Sequence, residues 1–165
     1  MKNAPSLSAV ALAISVSTLA ALSFMSPSVA SPGHSDGNNK VSPMGKAGDP
    51  AKVTRTIQVE MNDNMRFVPN SITVRANETV RFIVRNVGQV PHEMMLGTQK
   101  DLVEHAKVMQ NMPTMEHEED GAVSVEPGGT REMIWQFGRA ANFKFGCLKP
   151  GHFEQGMVGN LTIQR

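Results

Sequence analysis

Tyrosine is absent from the 165 residues, tryptophan occurs once, at Trp135, and cysteine once, at Cys147. A lone cysteine excludes an intrachain disulfide, so packing or a bound ligand must hold the fold together. Charge of one sign is also missing, since 16 basic residues face 15 acidic ones. With no basic run and no net charge, nucleic acid has no electrostatic footing on this chain. Long apolar runs are lacking beyond the first thirty residues, and a spanning helix needs ~20 such residues. The start itself reads as a secretory signal: Lys2 supplies the positive end, residues 10–24 are apolar, and Ser28-Val29-Ala30 fits a small-x-small cleavage site. Cleavage after residue 30 removes Lys2 and no acid, leaving 15 basic and 15 acidic residues, so docking to any partner rests on local patches. After cleavage nothing is expected to hold the chain to a membrane.

Residues 31–52 are rich in Gly, Pro, Ser, Asn and Lys without an apolar period, which predicts a disordered tail carrying His34 and Met44. From Val53 the pattern changes to alternation. Residues 53–61, Ile72 with Val74, and Val80, Phe82 and Val84 predict three strands, separated by the turn signals Pro69-Asn70 and Asn77-Glu78. Residues 92–96, 123–125, 133–137, 142–147 and 158–164 predict five more. Short strands at this spacing predict an all-β sandwich occupying residues 53–165. One stretch breaks the pattern. Leu102, His105, Met109 and Met112 recur with helical spacing, which predicts a single short helix over 99–111. Thr98 suits its N-cap, Asp101 stands three residues on, and Pro113 ends it.

The chemistry concentrates in Cys147-Leu-Lys-Pro-Gly-His152-Phe-Glu-Gln-Gly-Met157, a Cys-x4-His-x4-Met loop. Thiolate, imidazole and thioether are soft or borderline ligands and together favour copper over magnesium, calcium or manganese. A blue-copper site needs two histidines, one cysteine and a weak axial methionine. His92, in Val90-Pro91-His92-Glu93-Met94, is the candidate for the second histidine. Each ligand has a plainer reading: Cys147 as a small buried hydrophobe, His92 as a satisfied interior histidine, Met157 as core packing.

These residues resemble the cupredoxins, the small copper proteins that include plastocyanin, azurin and rusticyanin. Carrying the likeness are His92 and the Cys147, Pro150, Gly151, His152, Met157 loop, with Met65-Arg66-Phe67-Val68-Pro69 upstream. The resemblance implies a Greek-key β-sandwich with a helical insertion and one type 1 copper held by His92, Cys147, His152 and Met157. It also implies electron transfer. The segment 92–97 followed by a helix and a Met/His stretch looks like the periplasmic cupredoxins of bacterial copper tolerance. One departure stands out: where plastocyanin and azurin carry asparagine after the upstream histidine, this chain has Glu93.

Two functions share such a site. One is copper binding for tolerance in the periplasm, by a monomer with no catalytic residues. The other is an electron shuttle that docks a redox protein near His152, with Phe153 either rimming that surface or packing in the loop. Ten methionines remain after cleavage. Met109, Met112 and Met115, with His117, form a candidate second site selective for Cu(I), or else the stripe simply packs the helix. The oxidase class is poorly served: multicopper oxidases need His-x-His and His-Cys-His clusters, a binuclear domain needs a second cysteine, and only weak cuprous oxidation at the mononuclear site stays open.

Overall fold

The structure is a computed structural model that describes residues 42–111 and 120–165. Along β5 (Thr79–Asn86), Val80, Phe82 and Val84 are fully buried, while Arg81 and Arg85 at the alternate positions reach outward. This period of two decides which face meets the core. The same logic builds β2 (Arg55–Asn62), β4 (Ser71–Arg75), β8 (Thr130–Phe137), β9 (Ala141–Gly146) and β10 (Val158–Gln164). Shorter strands complete the set: β1 (Gly45–Ala47), β3 (Arg66–Val68), β6 (His92–Gly97) and β7 (Ala122–Val125).

Two five-stranded sheets result, in the orders β1-β8-β5-β2-β3 and β4-β10-β9-β6-β7. Pairing is antiparallel except for β2 with β5 and β4 with β10. Val59, Phe82, Val84 and Phe137 of one sheet meet Leu96, Phe145, Leu161 and Ile163 of the other in one continuous core. Phe67 and Phe145 touch edge to face, with centroids 5.0 Å apart and planes at 76°. Gly159 opposes that ring, and a Cβ there would overlap Phe145. The all-β sandwich with one helix is therefore as expected.

The helix α1 spans Gln99–Asn111, the bounds read from the sequence. Thr98 Oγ1 accepts from the Asp101 N–H at 3.1 Å, and Asp101 Oδ2 accepts from the Thr98 N–H at 3.2 Å. This is a reciprocal capping box with aspartate in the glutamate position. The buried stripe is Leu102, Ala106 and Met109, packed on Leu148, with Met95 and Phe153 alongside. His105, expected in the stripe, is only half-buried, and Ala106 beside it is buried instead.

The expected tail over 31–52 differs from the structure in its second half. Residues 42–52 lie on the sandwich: β1 pairs with β8, and Met44 is buried. The indole N–H of Trp135 donates to the Met44 carbonyl at 3.3 Å. Asp49 caps a 3-10 turn at Pro50–Lys52. A single buried methionine and edge hydrogen bonds anchor this segment, which explains why no apolar period announces it. The predicted signal over 1–30 and His34 lie outside the described residues, as do Met112, Pro113, Met115 and His117.

Candidate metal centre

His92 opens β6 and Cys147 follows the last residue of β9, so adjacent strands of one sheet deliver two ligand candidates side by side. Both are fully buried. A tight loop returns the chain from Cys147 to β10. The His152 N–H donates to the Lys149 carbonyl at 3.0 Å, and Gly151 takes φ +82°, a left-handed conformation that glycine adopts without strain. The Met157 N–H donates to the His152 carbonyl at 3.1 Å, and the Cys147 N–H donates to the Met157 carbonyl at 3.1 Å. These bonds close the loop on itself and bring His152 and Met157 back beside Cys147. Arg66, from the other sheet, clamps it from outside by donating to the carbonyls of Gln155 and Gly156 at 3.3 and 3.5 Å.

The donor atoms converge. His152 Nδ1 lies 3.2 Å from His92 Nδ1 and 3.3 Å from Cys147 Sγ. One donor atom from each of the three residues lies within 4.8 Å of the others. The backbone N–H of Glu93 donates to Sγ at 3.3 Å. That bond needs no particular side chain, so glutamate in place of asparagine leaves it intact. The Glu93 carboxylate turns aside and accepts from Ser124 Oγ at 3.3 Å. Met157 is fully buried within the core cluster that also contains Cys147.

Burial pushes the Cys147 thiol from 9.0 up to about 11, against the lowering effect of the Glu93 N–H. Burial, with the neighbouring His92, holds His152 below its ordinary value, so the ring is neutral near pH 7. Two imidazoles and a buried thiol converge on one point. They suit a soft cation that would take both lone pairs and displace the thiol proton. Copper fits this donor set. A direct check is thiol alkylation of the metal-free protein at pH 8. Raising the pKa by two units cuts the thiolate fraction about a hundredfold, so labelling should be slower than in denatured protein by at least that factor. Equal rates would mean that the thiol is not buried.

The comparisons agree with this geometry. The profile of copper binding proteins, plastocyanin/azurin family, matches residues 53–164. The chain belongs to that family. A relative from Rubrivivax gelatinosus, named copper-resistant cuproprotein CopI, is 51% identical over 122 residues, covering 74% of each chain. Proteins of the same name from Pseudomonas aeruginosa and Vibrio cholerae are 36% and 31% identical, covering 73% and 77% of this chain and 82% and 76% of theirs. Among solved structures, auracyanin B superposes with a TM-score of 0.60 at 18% identity, covering 75% of this chain and all of that one. An azurin from Methylomonas sp. strain J gives 0.53 at 19%, covering 68% of this chain and all of that one. These likenesses establish the family fold.

Two residues around the family site escaped the sequence reading. Asp63, in the Asn62-Asp63-Asn64 turn, places Oδ1 3.1 Å from His92 Nε2. Its Oδ2 accepts from the Gln89 N–H at 2.7 Å, the main reason its carboxyl titrates below the ordinary range. Asn86, buried, donates to the carbonyls of Val90 and Val125 at 2.7 and 3.0 Å and accepts from the Gly88 N–H. It fixes the loop that leads into His92. Of the second-site candidates, Met109 is occupied in packing against Leu102 and Leu148. Phe153 is partly buried and packs against the same cluster.

Proposed function

We propose that the protein binds one copper ion through His92, Cys147 and His152, with Met157 as a weak fourth ligand, and serves copper tolerance in the periplasm. The convergence of a buried and a half-buried imidazole on a buried thiol carries this reading. Bound copper would supply a one-electron couple, and the protein's own work is to hold the ligands in place before the metal arrives. β-Strand ends fix His92 and Cys147, and the loop hydrogen bonds fix His152 and Met157, so Cu(I) and Cu(II) meet the same cage with little rearrangement. Redox cycling follows from that rigidity. The tolerance role rests on the name of the CopI relatives. The electron-shuttle reading requires a flat apolar face around His152. Phe153, the nearest large apolar side chain in sequence, is partly buried against the α1 cluster and partly open.

Copper titration tests the binding. The mature protein should take up one Cu(II), develop an intense blue or green colour, and melt at a higher temperature. A ligand at a hundred times its Kd adds ~2.7 kcal/mol to the native state. The metal-free protein should keep its β-sheet circular dichroism, because the core is complete without the ion. No colour and no rise in Tm would sink the assignment. An anaerobic Cu(I) titration extends the test to the methionine segment: uptake above one equivalent, lost in Met109/Met112/Met115→Leu, would place a second ion there. Growth of a deletion strain on copper separates the two roles, since a shuttle's loss would leave copper sensitivity unchanged.

A further inference from the structure

His92 presents its two ring nitrogens to different partners. Nδ1 faces His152 and Cys147, and Nε2 faces the Asp63 carboxylate at 3.1 Å. A ring that offers the Nδ1 lone pair to a cation carries its proton on Nε2, so Nε2–H donates to Asp63. The carboxylate is itself held: the Gln89 N–H fixes Oδ2 at 2.7 Å, and Gly88 leaves the space it fills, since a Cβ at Gly88 would overlap Oδ1. Gly88 is in turn tied to the buried side chain of Asn86. The Asp63 side chain is 39% exposed while that of His92 is fully buried, so the arrangement brings one anionic group from the surface to the back of an interior ligand.

On the proposed copper reading, we infer that Asp63 is a positioning residue that fixes the tautomer and orientation of His92 and biases the site toward Cu(II). The physics is short. A carboxylate accepting the far ring proton makes the imidazole a stronger donor, and outer partners of this kind are commonly worth 10–100-fold in metal affinity. Its negative charge lies near the ion and favours the higher oxidation state. The buried thiolate and two neutral imidazoles carry one negative charge between them. With Asp63 the group balances a divalent ion and leaves a monovalent one over-compensated. The site would thus hold its copper as Cu(II) more readily than three ligands alone would make it.

The test uses full-length mature protein and the variants Asp63→Asn, Asp63→Ala and Gly88→Ala, with Cu(I) and Cu(II) affinities by competition, midpoint potential by redox titration, and the Tm of the metal-free form. Asp63→Asn keeps an oxygen acceptor and removes the charge. It should lower the Cu(II):Cu(I) affinity ratio about tenfold, a rise in midpoint potential of ~59 mV for one electron. Asp63→Ala should also lose at least tenfold in Cu(II) affinity and shift the charge-transfer band. Gly88→Ala retains the carboxylate but displaces it, and should move the potential in the same direction. If Asp63 merely closes its turn on Gln89, the metal-free Tm will fall while potential and affinity ratio stay within threefold of wild type, and that result overturns the inference. A wild-type protein that takes up no copper overturns the proposed function along with it. A coloured wild type with an unmoved Asp63→Asn overturns the Asp63 role alone.

Discussion

Cys147→Ser should abolish the colour of the copper-loaded protein. The intense band of such a site arises from charge transfer out of a thiolate, and this chain has one sulfhydryl. A serine hydroxyl does not ionise at neutral pH in a fully buried position, so neither the band nor a strong anionic ligand survives. Loss of affinity should exceed the roughly 10–100-fold typical when an outer partner is removed. Met157→Leu supplies the contrast: the axial bond is weak, so the variant should stay coloured, with a changed potential. Absorption spectra of the two variants at equal copper loading check both. Colour that persists in Cys147→Ser would mean that copper sits elsewhere.

Phe145→Ala should remove ~3–5 kcal/mol of stability, the usual cost of emptying a large aromatic site. Domains of this size have only ~5–15 kcal/mol in total, so the loss is a substantial part of the whole. The ring is fully buried, meets Phe67 edge to face, and fills the space that Gly159 leaves by having no side chain. Neighbouring strands cannot collapse into that gap without breaking their ladders. Urea denaturation of the metal-free protein, followed by circular dichroism, reads the change. A loss below ~1 kcal/mol would show that the two sheets do not meet around this ring. Phe145 stands two residues before Cys147 on the same chain direction, so added copper should recover part of the lost stability by mass action.

The sequence made most of this legible where local chemistry and packing agree. The bounds of α1 were readable because Thr98 and Asp101 cap it through their own side chains. Val80, Phe82 and Val84 announced β5 because each second residue faces the core. Cys147, His152 and Met157 stood out because one short loop carries all three. What stayed hidden depends on distant contacts. β1 has no apolar period, since its one buried residue is Gly45, Met44 is buried just before it, and the strand is held by backbone bonds to β8. β3 passed for the approach to the Pro69-Asn70 turn, although Phe67 is a core residue. Asp63 sits between two asparagines in an ordinary turn, and only the folded chain brings it to His92, 29 residues away. In the helical stripe Ala106 is buried and His105 half-buried, although both lie on the face of Leu102 and Met109, and periodicity does not separate them.

The outer strands of the two sheets are short. β1 and β3 have three residues each, β7 has four and β4 five, against eight in β2, β5 and β8. A free sheet edge is a template on which another chain can add a strand, and its length sets how many hydrogen bonds the intruder gains. Here Lys46, Arg66 and Arg75 put like charges on three of the four edges, and Pro50 and Pro69 stand just beyond two of them. Fibril growth and edge-to-edge clumping therefore find little purchase. A fold that no disulfide reinforces has this guard built into the perimeter of its sheets.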